Sequence, residues 1–159
     1  CRDWSSDVCS SDLPVVTTED APFEVGKAIT MREGSDLTII GAGPILAEAL
    51  LAAEALSHKG ISARVVNMHT VKPLDESAII AAANDTGAIV TVEEHQVYGG
   101  LGGAVAECLV KSSPVPVEMV GIMDTFGESG TPEELAVEYG LTSQEIIAAA
   151  EKVLLRKRT

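Results

Sequence analysis

The chain has 159 residues, of which 46% are hydrophobic and only 3% aromatic, and its formal net charge is −13 at pH 7. This length predicts one domain with a core of Ala, Val, Ile and Leu. The negative charge argues against binding to nucleic acid or to an anionic membrane surface, because phosphate recognition needs a basic face. No segment approaches the roughly 18 apolar residues of a membrane span, so we expect a soluble protein. Its three cysteines form no metal spacing and leave an odd count, which favours reduced thiols in the cytoplasm.

The beginning of the chain differs from the rest. Residues 1–13 contain Trp4 and two of the three cysteines, Cys1 and Cys9, without any hydrophobic periodicity. They resemble translated adapter sequence, and we expect a non-native leader in front of a fragment of a longer protein. The third cysteine, Cys108, lies on an apolar helical stripe and is expected to be a buried, reduced thiol.

Apolar runs and helical patterns alternate along the remainder. Residues 14–25 are expected to be an extended linker, and residues 26–159 a single domain. Strands are predicted at residues 27–32, 36–41, 62–68, 89–92 and 116–122. Helices are predicted at residues 44–59, 75–84 and 103–111, and capping boxes predict two more after Thr131 (with Glu134) and Thr142 (with Glu145). This alternation is typical of a three-layer α/β/α sandwich with a mostly parallel sheet of about five strands.

Polar residues and glycines follow the fourth predicted strand. In parallel sheets covered by helices, ligands and partners bind at the carboxyl ends of the strands. His69 ends the preceding strand and is expected near the same edge. The candidate strand-end or interface motif therefore consists of Glu93, Glu94, His95, Gly99, Gly100, Gly102, Gly103 and His69.

Two interpretations of this motif remain open. Glu93 and His95 share one side of an extended backbone, about 7 Å apart between Cα atoms. The carboxylate would favour a charged imidazolium, suited to a general acid or an interface ion pair, and we favour the structural pair.

Residues 99–103 resemble an anion cradle at a helix start, but Glu93 and Glu94 would repel phosphate. We therefore expect a Glu side chain to accept the free N–H groups there.

A second glycine turn lies at residues 41–43, where a dinucleotide fingerprint would stand. Leu46 replaces its third glycine, and the acidic residue expected about 20 positions later is missing, so a tight structural turn is favoured. Nucleophile elbows, phosphate-binding loops and metal-ligand spacings are absent from the sequence. We predict no catalytic residue, no cofactor-binding residue and no metal ligand in this chain.

Several long stretches resemble one known family, the C-terminal domain of transketolases. The resemblance covers residues 14–155 and is greatest to the C-terminal section subunit of split transketolases. The FGESG stretch at residues 126–130 favours transketolase, whereas MHTVKPLD at residues 68–75 also occurs in related enzymes. The matching stretches are PFEVGKAITMREGSDLTIIGAG, ARVVNMHTVKPLDE, GAIVTVEEHQVYGGLGGAVAECL and DTFGESGTPEELAVEYGLT.

The resemblance implies an enzyme that uses thiamine diphosphate and Mg²⁺ to move a two-carbon ketol unit between sugar phosphates. In that family the cofactor lies between a pyrophosphate-binding and a pyrimidine-binding domain, neither of which is expected in this chain; the second would directly precede Pro14. The resemblance implies that the chain is a scaffold and dimerisation domain of a homodimeric enzyme, inactive alone and without its own cofactor. Alternatives are the C-terminal domain of a 2-oxoacid dehydrogenase beta subunit or of deoxyxylulose phosphate synthase, or a stand-alone small-ligand binding module.

Overall fold

A computed structural model describes residues 14–157, so the predicted leader at residues 1–13 lies outside the described residues. Within residues 14–157, no helix is both long enough and apolar enough to cross a membrane. Strands and helices alternate in the order β1 (Ile29–Arg32), β2 (Leu37–Ala42), α1 (Leu46–His58), β3 (Ala63–Asn67), α2 (Glu76–Thr86), β4 (Ile89–Gln96), α3 (Leu101–Lys111), β5 (Val117–Ile122), α4 (Pro132–Glu138) and α5 (Ser143–Lys157).

The strands form one five-stranded sheet in the order β1-β3-β2-β4-β5. β2 pairs in parallel with both β3 and β4, and β4 pairs in parallel with β5. β1 is antiparallel to β3 at one edge. A helix lies between each parallel strand and the next in the chain, as parallel pairing requires. The predicted α/β fold with a mostly parallel sheet is confirmed.

Two hydrophobic layers cover the two faces of this sheet. One contains the buried residues of α1 and α5, and the other those of α2 and α3. In β4, Val90 and Val92 belong to the first layer and Ile89 to the second. Because successive strand residues point to opposite faces, Glu93 is directed towards α3 and Glu94 towards α1.

Five predicted boundaries were wrong by two or more residues. β1 begins at Ile29 instead of residue 27, and α2 ends at Thr86 instead of residue 84. β4 does not end at the glutamates but continues to Gln96, which pairs with Ile122 of β5 after a shift in register. α3 begins at Leu101 rather than at Gly103, because the carboxylate of Glu93 in β4 accepts from its first two N–H groups. α1 begins at Leu46, two residues after the predicted Pro44, whose carbonyl accepts a turn hydrogen bond from the Ala47 N–H.

Acidic side chains cap several helices. Asp75 caps α2 by accepting from the Ala78 N–H, and it also accepts from Ala28 next to β1. The predicted Thr131–Glu134 capping box is present at α4. α5 begins as predicted after Thr142, and Glu48 from α1 accepts from the Ser143 N–H at 2.7 Å. The Thr142–Glu145 capping box stays a prediction.

Cys108 lies in the layer formed with α3 and is 7% exposed. Burial raises the pKa of its thiol, with a partly opposing hydrogen bond to Ser112. The predicted buried structural thiol is confirmed.

Candidate functional site

Two glycine turns lie side by side at the carboxyl edge of the sheet. Gly43 follows β2 with φ of +85°, and Gly99 follows β4 with φ of +78°, a region that favours glycine. A cleft of about 540 Å³ lies between the turns, and its wall includes Glu93, Glu94 and His95. The parallel pairing of β2 and β4 thus joins two motifs that are about fifty residues apart in the chain.

Glu93 closes the turn after β4. The residue is 4% exposed, and its carboxylate accepts from the Leu101 N–H (Oε2, 2.7 Å) and the Gly102 N–H (Oε1, 2.8 Å). These N–H groups at the positive end of α3 have no partner within the helix. The expectation that a Glu side chain accepts the free N–H groups is confirmed.

The glycines of this turn make room for that carboxylate. A Cβ on Gly100 would collide with Glu93 Oε2, and one on Gly102 would lie 2.9 Å from both Thr91 Oγ1 and Met119 Sδ. Gly103 differs, because a Cβ there would meet nothing closer than 3.6 Å. Close packing therefore requires glycine at Gly100 and Gly102 but not at Gly103.

Glu94 acts at the turn after β2. Its carboxylate faces the backbone N–H of Ile45, the residue before α1, which has no side-chain cap of its own. Although the residue is exposed, partial desolvation of its carboxyl at the sheet edge raises the pKa of Glu94, and the Ile45 N–H opposes this only in part. Two neighbouring glutamates on one strand therefore serve two helices on opposite faces of the sheet.

This arrangement does not fit a phosphate-bearing cofactor. Each helix N-terminus that could attract an anion already faces a carboxylate of the protein, which would repel a pyrophosphate. Across residues 14–157, no group of three or more His, Cys, Asp or Glu side chains is arranged to hold a metal ion. We therefore derive no thiamine diphosphate or Mg²⁺ chemistry from these residues.

The two histidines of the predicted motif have separate surroundings. His95 Nδ1 lies 3.0 Å from the Gln96 carbonyl oxygen on an exposed side chain. The predicted Glu93–His95 pair is not formed, because the N–H groups of α3 engage both oxygens of Glu93. His69 lies at the same sheet edge, just after β3, where its Nε2 is 3.1 Å from the Glu24 carbonyl oxygen and its ring packs 4.5 Å from that of Phe23.

Gln96 and Tyr139 were missed by the sequence reasoning. Gln96 Nε2 donates to the Thr125 carbonyl at 2.9 Å, and Gln96 Oε1 accepts from the Asp124 N–H at 2.7 Å. Tyr139 Oη donates to the Phe126 carbonyl at 3.2 Å and accepts from the Glu128 N–H at 2.7 Å. No pattern in the neighbouring sequence predicts either set of contacts. The one indication is that Gln96 places an amide side chain at the end of a strand, where it can hydrogen-bond the backbone of an adjacent loop.

The chain was compared with known proteins. Residues 26–146 match the family model of the transketolase C-terminal domain. The chain belongs to the transketolase C-terminal domain family. This confirms the resemblance inferred from the sequence, and the sheet edge with Glu93 and Glu94 is thus an edge of a transketolase C-terminal domain.

The relatives are longer proteins. The chain is 51% identical over 142 residues to the 6-deoxy-6-sulfo-D-fructose transketolase subunit SqwH of Clostridium sp. (strain MSTE9), covering 89% of this chain and 44% of that protein. It is 44% identical over 143 residues to a 1-deoxy-D-xylulose-5-phosphate synthase of Trichormus variabilis, covering 89% of this chain and 22% of that protein. A solved split-gene transketolase is described as an "inactive beta4 tetramer", where beta names the subunit and not a strand. It is 48% identical with a TM-score of 0.89, covering 92% of this chain and 48% of that one. The chain spans less than half of each.

Proposed function

We propose that this chain is the C-terminal section of a split, thiamine diphosphate-dependent transketolase and serves as a scaffold and dimerisation domain. The complete enzyme would move a two-carbon ketol unit between sugar phosphates in the cytoplasm. Residues 14–25 would be the linker from a pyrimidine-binding domain. Membership of the family and similarity to split transketolase subunits support this function.

One structural observation carries the non-catalytic part of the proposal. Glu93 and Glu94 place carboxylates at both helix N-termini of the sheet edge, where ligands of open α/β sheets bind. Thiamine diphosphate and Mg²⁺ would accordingly be bound by the pyrophosphate- and pyrimidine-binding domains. Those domains, or the subunits carrying them, are the proposed partners, and the assembled enzyme would be a homodimer.

A second candidate is the C-terminal domain of a deoxyxylulose phosphate synthase. The 44% identity to the Trichormus variabilis enzyme favours it over a 2-oxoacid dehydrogenase beta subunit. The scaffold role would be the same, and only the reaction of the catalytic domains would differ.

A domain exchange tests the proposal. Residues 26–157 would replace the matching domain of the Clostridium transketolase subunit. The chimera would be assayed with its companion subunit, thiamine diphosphate, Mg²⁺, 6-deoxy-6-sulfo-D-fructose as the ketol donor and an aldose phosphate as the ketol acceptor. We expect ketol transfer by the chimera, and little or none by the same subunit without its C-terminal domain or by this chain alone. Thiamine diphosphate-dependent turnover by this chain alone, or a chimera that folds and assembles without activity, would contradict the proposal.

A further inference from the structure

Phe126 is the most exposed large apolar residue in the described part of the chain, with 98% of its surface accessible. Its backbone is nevertheless held on both sides. The side chain of Gln96 from β4 makes two hydrogen bonds to Asp124 and Thr125, and Tyr139 at the end of α4 makes two to Phe126 and Glu128. Phe126 is therefore presented on an ordered loop.

The backbone of this loop also carries strain. Asp124 is, among residues 14–157, the one non-glycine residue with a positive φ, at 54°. Such a conformation persists where the surroundings enforce it, and here Gln96 binds the Asp124 N–H. A partner that binds Phe126 would not have to order the loop, so this chain would lose little conformational entropy when the partner docks.

A groove of about 760 Å³ adjoins Phe126 between α1, α4 and the 127–130 loop. Apolar side chains in its wall include Ile45, Ile122, Leu135 and Leu141, and its acidic residues are Glu48, Glu94, Glu128 and Glu133. Of the described residues that line it, none is basic, and Glu94, Glu128 and Glu133 take part in none of the ion pairs found in residues 14–157.

We propose that Phe126 and this acidic groove form a docking surface for a basic segment with apolar side chains on the companion subunit that carries the pyrophosphate-binding domain. This inference rests on the proposed function. Opposite charge would steer the two surfaces together, and burial of Phe126 would supply the anchor. A second copy of this chain is disfavoured as the occupant of this groove, because a symmetric contact would bring its four glutamates against the same four of the other copy. The dimerisation in the proposed function would therefore use another face.

Two synthetic peptides test the chemistry of the surface with the full chain. One repeats lysine and leucine (Lys-Leu-Leu-Lys-Leu-Leu-Lys), and the other has glutamate in place of lysine. We expect only the basic peptide to bind, with an affinity that falls as salt increases. Equal binding of both peptides, or binding of neither, would overturn the proposal.

Matched variants locate the binding. Phe126→Ala and Glu133→Lys should each weaken the basic peptide at least fivefold, whereas Glu138→Lys, on the same helix but outside the groove, should change binding less than twofold. Each side chain is exposed, so melting temperatures should change little. Glu133→Lys reverses a charge in the first turn of α4 and should lower the melting temperature slightly. Equal effects of Glu133→Lys and Glu138→Lys would overturn the proposal, as would a dimer in sedimentation that Phe126→Ala dissociates, because the occupant would then be a second copy.

The two proposals fail separately. An inactive domain exchange together with peptide binding that depends on Phe126 would overturn the transketolase function but keep the docking chemistry. An active exchange whose activity and assembly are unchanged by Phe126→Ala and Glu133→Lys would overturn the docking surface alone.

Discussion

The two glycine turns at the carboxyl edge use the same chemistry with different burial. After β4, Glu93 is 4% exposed and accepts two N–H groups of α3. After β2, the exposed Glu94 faces the Ile45 N–H before α1, and it also lines the acidic groove. One glutamate is thus an internal part of the fold, whereas its neighbour remains available to a partner. Position on one face or the other of a strand decides between these roles.

The largest effect should come from removing the buried carboxylate. Glu93→Ala removes two hydrogen bonds to a charged acceptor and leaves two N–H groups of α3 without it, so the free energy of unfolding should fall by about 3 kcal/mol. Glu94→Ala is the matched control and should lower it by less than about 1 kcal/mol, since the Glu94 side chain is exposed and faces a single N–H group. Denaturant unfolding of both variants measures the difference. Equal losses would show that burial does not distinguish the two turns.

Substitution of the glycines should produce the next largest effect. Gly100→Ala places a methyl group against Glu93 Oε2 and should destabilise the protein by about 2 kcal/mol, because the buried carboxylate has to move. Gly103→Ala lies in α3 with no close neighbour and should be stabilising by about 0.5 kcal/mol. Thermal and denaturant unfolding should therefore give opposite signs for the two variants. A loss of similar size at both positions would mean that the turn needs backbone freedom instead of space.

The smallest effect concerns the titration of Glu94. Partial desolvation at the sheet edge raises the pKa of this exposed residue's carboxyl above its ordinary value of 4.5, so the folded protein binds the proton more tightly than the unfolded chain does. Its contribution to stability is then fully present below about pH 4.5 and is lost as the pH rises through the folded-state pKa.

Unfolding of the wild type and Glu94→Gln from about pH 4 to pH 7 tests this sign, because the other carboxyl groups cancel in the difference. The wild type should lose stability relative to the variant as the pH rises, and the difference should then level off. A wild type that gains stability relative to Glu94→Gln over this range would show that the Ile45 N–H lowers the pKa of Glu94 by more than desolvation raises it.

Most of the fold could be predicted because its signals are local. The apolar runs of β2 and β4 and the capping residues Asp75 and Thr131 identified strands and helices in their correct order. Boundaries were predicted less well where partners are distant in the chain. β4 continues to Gln96 because β5 pairs with it, and no residue within the strand itself indicates this.

The candidate site was predicted in part. The segment that contains Glu93 and Glu94 does lie at the carboxyl edge, and a glutamate does accept the N–H groups of α3. The expected Glu93–His95 pair does not form. Spacing along a strand predicts that the two residues share a face, but it does not predict that N–H groups of α3 compete for the Glu93 carboxylate. The clamp formed by Gln96 and Tyr139 could not be found, since both partners lie in an irregular loop.

The sequence by itself determined the fold class, the sheet edge that carries the motif, and the family, because periodicity, caps and matching stretches are properties of the chain order. Only the tertiary structure decided which helix each glutamate serves, which of them is buried, and that Phe126 is held exposed beside an acidic groove. The physical reason is that hydrogen bonds and burial depend on distances through space. Those distances are set when α1 and α3 pack on opposite faces of β4.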